Sequence, residues 1–140
     1  YLAAHPYSYA HENPRALYPL RHPAALPILG SMVAAGVFAV KGDRKPGLGT
    51  ELYCAPFWNI FMSNAVCQGT VKYPDRPAPD QQAVWEDVFF RSTFTGPSRQ
   101  DRYMNWDASY EELLQHATDQ GAFPEDVLVS AKLTLQEALR

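Results

Sequence analysis

Met32-Val33-Ala34-Ala35-Gly36-Val37-Phe38-Ala39-Val40, then Lys41-Gly42-Asp43-Arg44-Lys45-Pro46-Gly47, then Thr50-Glu51-Leu52-Tyr53-Cys54-Ala55: these three blocks decide the fold. The first is an apolar run of strand length and reads, from Ser31 to Val40, as a buried strand. The second is polar and contains Gly and Pro breakers, so it reads as a turn. In the third, residues of a strand alternate between faces. Leu52 and Cys54 share one face, while Glu51, Tyr53 and Ala55 share the other. Two strands joined by a polar loop predict an antiparallel meander.

Downstream the period changes. Tyr73 to Pro79 is a Pro-rich connection, and Asp80 is placed to cap a helix over residues 81–91. Val84, Trp85, Val88 and Phe89 would form that helix's apolar face. Thr95 to Asp107, with Gly96-Pro97, reads as a loop. Ser109 and Glu112 form a capping-box pattern ahead of Leu113, Leu114 and Ala117, and Gly121 suits a helix stop. A last helix is expected from near Pro124, because Leu128, Ala131, Leu135, Ala138 and Leu139 recur at three- and four-residue spacing. Strands come first and helices follow, which predicts an α+β domain.

Residues 1–29 hold five prolines and three of the four histidines. Proline fixes φ and lacks an N–H, so this stretch is expected to be an extended, irregular amino-terminal segment, or the end of a truncated region, ahead of a domain over residues 30–140. His5, His11 and His22 lie on no common helix or strand, and no metal or cofactor is expected. A length of 140 residues suits one core. The net charge of −3 supplies no basic footprint for nucleic acid. No apolar run reaches the length of a membrane span, and no signal peptide is visible. Cys54 and Cys67 lack the short Cys-x-x-Cys spacing of a zinc site. They leave one disulfide open, though the composition suggests a reducing, cytoplasmic setting.

The chemistry concentrates in Pro56-Phe57-Trp58-Asn59-Ile60-Phe61-Met62-Ser63-Asn64-Ala65-Val66-Cys67, where a thiol follows an asparagine by eight residues. A thiolate attacks thioesters well, and the thioester it forms is a good acyl donor to amines. An amide near the carbonyl oxygen can stabilise the oxyanion, and losing one such donor typically costs about 2.7–4 kcal/mol. A cysteine hydrolase would also need a base. The only histidine after residue 22 is His116, on a predicted helix without a supporting motif. Cys54, alternating with Leu52, reads as core. Phe57, Trp58, Phe61 and Met62 read equally as core or as a partner-docking patch.

Asn59-Ile60, Asn64, and Val66-Cys67 resemble the active-site segment of ubiquitin-conjugating enzymes, which run His-Pro-Asn-Ile, a short turn with Gly, then Ile-Cys. Asn64 stands at the Gly position, as the next best residue for a left-handed turn. Phe57-Trp58 stand where the family has His-Pro. A longer match, over about residues 22–97, resembles the prokaryotic ubiquitin-conjugating-like family that includes PRTRC system protein B. It is carried by residues 49–59, by Val66-Cys67-Gln68-Gly69, and by Trp85-Glu86-Asp87-Val88-Phe89-Phe90-Arg91-Ser92-Thr93-Phe94-Thr95.

The resemblance implies an α+β ubiquitin-conjugating-like fold: an antiparallel meander, an active-site loop, and C-terminal helices packed on one face. It implies a bacterial enzyme that accepts a ubiquitin-like protein from an adenylating enzyme as a Cys67 thioester and transfers it to an amine of a protein substrate. Such genes are associated with mobile elements or phage defence. Cys67 carries over as nucleophile and Asn59 as the oxyanion-stabilising amide, with Asn64 and Asp101 as supporting candidates; Asp101 is the candidate to activate the incoming amine. The alternative is an inactive relative that keeps the fold and serves as a binding module or scaffold.

Overall fold

The computed structural model describes residues 6–7, 20–21, 25–29, 35–42, 44–67, 72, 84, 89 and 96–139. Strands β1 (Pro6–Tyr7) and β2 (Leu20–Arg21) pair as a short antiparallel ribbon. The main sheet is antiparallel, with strands in the order β3 (Ala25–Leu29), β4 (Ala35–Ala39), β5 (Glu51–Cys54) and β6 (Ser130–Thr134). The expected meander is β4, the polar loop and β5, in register at Phe38↔Cys54 and Ala39↔Tyr53. Part of the proline-rich segment thus joins the sheet, since β3 pairs with β4 along its whole length. His5, His11, His22, Met32, Val33 and Ala34 lie outside the described residues. So do Asp80, Trp85 and Val88. Val84 and Phe89, within the helix expected over 81–91, have helical backbone; Phe89 is buried and Val84 exposed.

Helix α1 (Tyr110–Gln120) starts and stops where its sequence dictates. Ser109 Oγ accepts from the Glu112 N–H at 3.2 Å, and the Glu112 carboxylate accepts from the Ser109 N–H at 2.9 Å. Two otherwise orphaned amides are thereby satisfied, and the acidic first turn suits the positive end of the helix dipole. Gly121 ends the helix at φ 69°, a left-handed conformation that costs glycine nothing. Leu113, Leu114 and Ala117 pack with Ala39, Phe123, Val127 and Leu128, and Tyr53 closes the cluster. Burying each leucine stabilises the fold by about 1.5–3 kcal/mol, so this one helix face supplies much of what holds the sheet in place.

The helix expected from Pro124 is not formed. Glu125–Val127 is a single 3-10 turn, residues 130–134 form β6, and only Leu135–Ala138 coil into a short helix, α2, capped by Thr134 and Glu137. The helical spacing is mimicked by a bulge. Leu52 pairs with Leu133 but the next residue, Tyr53, pairs with Ser130, so β6 carries extra residues opposite β5. Lys132 takes φ 56° within that bulge. Pairing with the open edge of β5, including the Cys54 N–H donating to the Val129 carbonyl at 2.9 Å, satisfies backbone groups that a free helix would not.

The helices do not share one face of the sheet either. Leu135 and Ala138 of α2 lie with Phe38, Val40 and Leu52 on the side opposite α1. Alternation along β4 and β5 makes both faces apolar, and each face is covered by a different helix.

Candidate functional site

β5 stops at Cys54 because Pro56 has no N–H to continue the ladder. The chain leaves through Pro56-Phe57-Trp58 and returns as a small hairpin. Its rungs are the Phe61 N–H to the Ala65 carbonyl at 2.8 Å, the Ile60–Val66 bridge, and the Cys67 N–H to the Asn59 carbonyl at 2.6 Å. Asn64 N–H donates to the Phe61 carbonyl at 2.8 Å, closing a turn, and Asn64 itself is left-handed at φ 62°. A turn followed by a left-handed residue is a standard three-residue hairpin connection, and asparagine tolerates that conformation better than any residue but glycine. The returning arm takes up the edge of β4 that β5 has left: Ala65 bridges Gly36, and the Val37 N–H donates to the Asn64 carbonyl at 2.9 Å.

This hairpin sets Asn59 and Cys67 directly opposite each other. Asn59 is buried with φ 61°, and Cys67 is half-buried and not in a disulfide. Among the described residues no hydrogen bond links Cys67 Sγ to a His, Asp or Glu. His116 lies on α1 with its ring against Trp106, centroids 5.5 Å apart. Cys54 is also a free thiol but is buried, and its burial pushes its pKa up despite the neighbouring Arg99 cation. It belongs to the interior, as its place beside Leu52 suggests.

Arg99 is the residue that sequence reasoning missed. Its side chain is 2% exposed, against 34% for its partner Asp101. Nε and Nη2 donate to the two Asp101 carboxylate oxygens, each at 2.6 Å, in a bidentate fork. Nη1 donates to Asn64 Oδ1 at 3.1 Å, and Nη2 also reaches Cys54 Sγ at 3.6 Å. The guanidinium stands 5.3 Å from the Tyr103 ring centroid. The hydrogen bonds from Arg99 hold the Asp101 carboxyl below its ordinary pKa, and those to Asp101 raise that of Arg99. Asn64 and Asp101, the two supporting candidates, are therefore joined through a cation between them. Asp101 is a paired carboxylate rather than an unengaged base. The only local cue was the Arg-x-Asp spacing, which on its own reads as a solvated pair in a polar loop.

The four apolar residues of the segment divide in two. Phe57 is fully buried, edge-on to Phe89 with centroids 5.5 Å apart. Trp58 stacks on Tyr110 at 4.9 Å and donates its indole N–H to Tyr103. Tyr110, the first residue of α1, donates its hydroxyl to the Pro56 carbonyl at 2.9 Å. Where the ubiquitin-conjugating pattern has His-Pro, this chain thus plugs the loop into its own core. Phe61 and Met62, at the hairpin tip, are 43% and 62% exposed.

Among the described residues, no group of three metal-binding side chains converges, and no helix is long and apolar enough to cross a membrane. Comparison with curated proteins and with solved structures finds no match. The model of Prokaryotic E2 family D matches residues 18–131, which include β3 to β5, the hairpin, α1 and the start of β6, and the chain belongs to that family.

Proposed function

We propose that this E2-like protein is a conjugating transferase that carries a ubiquitin-like protein on Cys67. The observation that carries the reading is the hairpin pairing of Asn59 with the half-exposed Cys67, in a member of an E2 family. The Cys67 thiolate attacks the thioester carbonyl by which an activating enzyme holds the C-terminus of the ubiquitin-like protein. A C–S bond forms to Cys67, the bond to the donor sulfur breaks, and the donor leaves as thiolate. An amine of the protein substrate then attacks the new thioester. The C–N bond forms, Cys67 leaves as thiolate, and the amine's surplus proton passes to solvent. Asn59 donates its side-chain amide to the oxyanion of each tetrahedral intermediate. No permanent base is required, because each incoming group is itself the nucleophile.

The substrate amine is not assigned to Asp101. A carboxylate with a lowered pKa, already accepting two hydrogen bonds from Arg99, is a poor proton acceptor near neutral pH. Its part is to neutralise Arg99. The PRTRC system protein B type remains the proposed subtype within the prokaryotic E2-like group, with a bacterial operon setting and a cytoplasmic location.

The test is incubation with the cognate activating enzyme, ATP and ubiquitin-like protein, followed by non-reducing electrophoresis. A reductant-sensitive adduct is expected that disappears in Cys67→Ser and persists in Cys54→Ala. Absence of the adduct from the wild-type protein, with the complex still forming, would favour the binding-module alternative instead.

A further inference from the structure

We propose that Arg99 is the positioning residue of the Cys67 site, holding through Asn64 Oδ1 the hairpin that sets Cys67 opposite Asn59. This rests on the reading of Cys67 as the acyl-carrying thiol.

The argument begins with what the turn requires. A left-handed residue is needed at position 64, and glycine would meet that need with less strain than asparagine. The turn therefore gives no reason to prefer an amide side chain over glycine there. The amide does supply an acceptor, and the buried guanidinium donates to it at 3.1 Å. A hydrogen bond with an ionised donor is shorter and stronger than a neutral one, and removal from water strengthens it further.

Arg99 is in turn held rigidly. Asp101 fixes two of its nitrogens, Cys54 accepts from one of these as well, and Tyr103 flanks the cation. The Arg–Asp fork would be satisfied without the hairpin, yet the guanidinium's remaining terminal nitrogen is aimed at Asn64. The same loop touches the hairpin a second time, where the Asn59 N–H donates to the Gly96 carbonyl at 3.5 Å. Gly96 and Arg99 thus meet the hairpin at its root, Asn59, and at its turn, Asn64. Those two contacts hold the hairpin where Asn59 stands, and the 2.6 Å rung to Cys67 fixes the thiol-bearing residue against it. A displacement of about 1 Å in such a constellation can cost 10²-fold in rate, so a side chain remote from the reacting atoms can govern it.

Replacing Arg99 itself strands Asp101 and risks the fold, so the test uses position 64. Asn64→Gly keeps the left-handed turn and removes the acceptor. Asn64→Asp keeps both an acceptor oxygen and tolerance of the turn. A residue needed only for the turn would rank Gly at or above Asn. A residue through which Arg99 positions the site ranks Asp close to Asn, and Gly well below.

Two readouts separate this proposal from the proposed function. In thioester formation, Asn64→Gly is expected to lower the maximal rate about tenfold without changing the KM for the charged activating enzyme, and Asn64→Asp to restore it. In hydrogen exchange followed by NMR, which needs no partner protein, the Cys67 amide is expected to exchange faster in Asn64→Gly and to recover protection in Asn64→Asp. Asn64→Gly matching wild type in both readouts would overturn the positioning role while leaving the thioester reading intact. If wild type forms no thioester, the functional reading fails, and the exchange ranking alone decides whether Arg99 holds the hairpin; an unchanged ranking overturns it.

Discussion

Cys54 and Cys67 lie thirteen residues apart and have opposite surroundings. Cys54 ends a core strand, is paired on one side with β4 and on the other with Val129 just before β6, and has a buried arginine at its sulfur. Cys67 ends a hairpin arm at the margin of the sheet and is half-exposed; its described hydrogen bond is made by its backbone. Arg99 touches both regions, one through Sγ and the other through Asn64. The difference teaches that proximity to a cation does not by itself make a thiol reactive. Burial at Cys54 outweighs the neighbouring charge and keeps that thiol protonated, whereas Cys67 combines access with an asparagine opposite.

The largest effect should come from probing the thiols directly. Native protein treated with iodoacetamide is expected to be alkylated at Cys67 at least about tenfold faster than at Cys54, because Cys54 reacts only after local opening and deprotonation. Peptide mass spectrometry reads the two sites separately, and equal rates would abolish the contrast.

Next in size is Asp101→Asn. It leaves the Arg99 cation buried with a weaker partner and is expected to cost about 1–3 kcal/mol of unfolding free energy, less than orphaning a fully buried ion because Asp101 keeps contact with water. Chemical denaturation measures it. Asp101 has a folded pKa below its ordinary value of 3.8, so its stabilising contribution is present above that value and fades as pH falls below it. Wild type should therefore lose its advantage over Asp101→Asn as pH is lowered from about 5 to 2. A pH-independent difference would show that the pair acts by packing alone.

The smallest effect separates stability from chemistry. Lys132 holds a left-handed conformation in the β6 bulge, where its N–H donates to Ser130 Oγ, which itself donates to Glu51. Lys132→Gly relieves that backbone strain and is expected to stabilise the protein by about 1 kcal/mol, since the strain removed slightly exceeds the added entropy of the unfolded chain. Thermal unfolding measures this. Thioester formation should not change, because Lys132 touches neither thiol region.

Much of this was legible in local patterns. The capping box at Ser109 and Glu112, the stop at Gly121, the meander of β4 and β5, and the left-handed turn at Asn64 each depend on a few neighbouring residues, and each is where the pattern puts it. β6 was not legible, because its partner β5 lies some eighty residues away and its bulge gives apolar positions a helical spacing. Nor was Arg99: a charged residue in a polar loop reads as solvated, and its neighbours Asp101 and Tyr103 bury it only together with Cys54 and Asn64, which come from distant elements. Trp58 resolved inward for a similar reason, its stacking partner Tyr110 being the first residue of a helix that begins fifty residues later.

The unequal bonding along the hairpin has a mechanical consequence. Its tip is tied by the 2.9 Å bond from the Val37 N–H and by Arg99, and its root by the 2.6 Å rung and by the Asn59 N–H to the Gly96 carbonyl at 3.5 Å. The rung between Asn59 and Cys67 is the shortest in the hairpin at 2.6 Å, so a shift of either residue is passed directly to the other. Any adjustment at the turn therefore reaches the thiol-bearing residue and the asparagine as a pair, without parting a single pair of sheet strands.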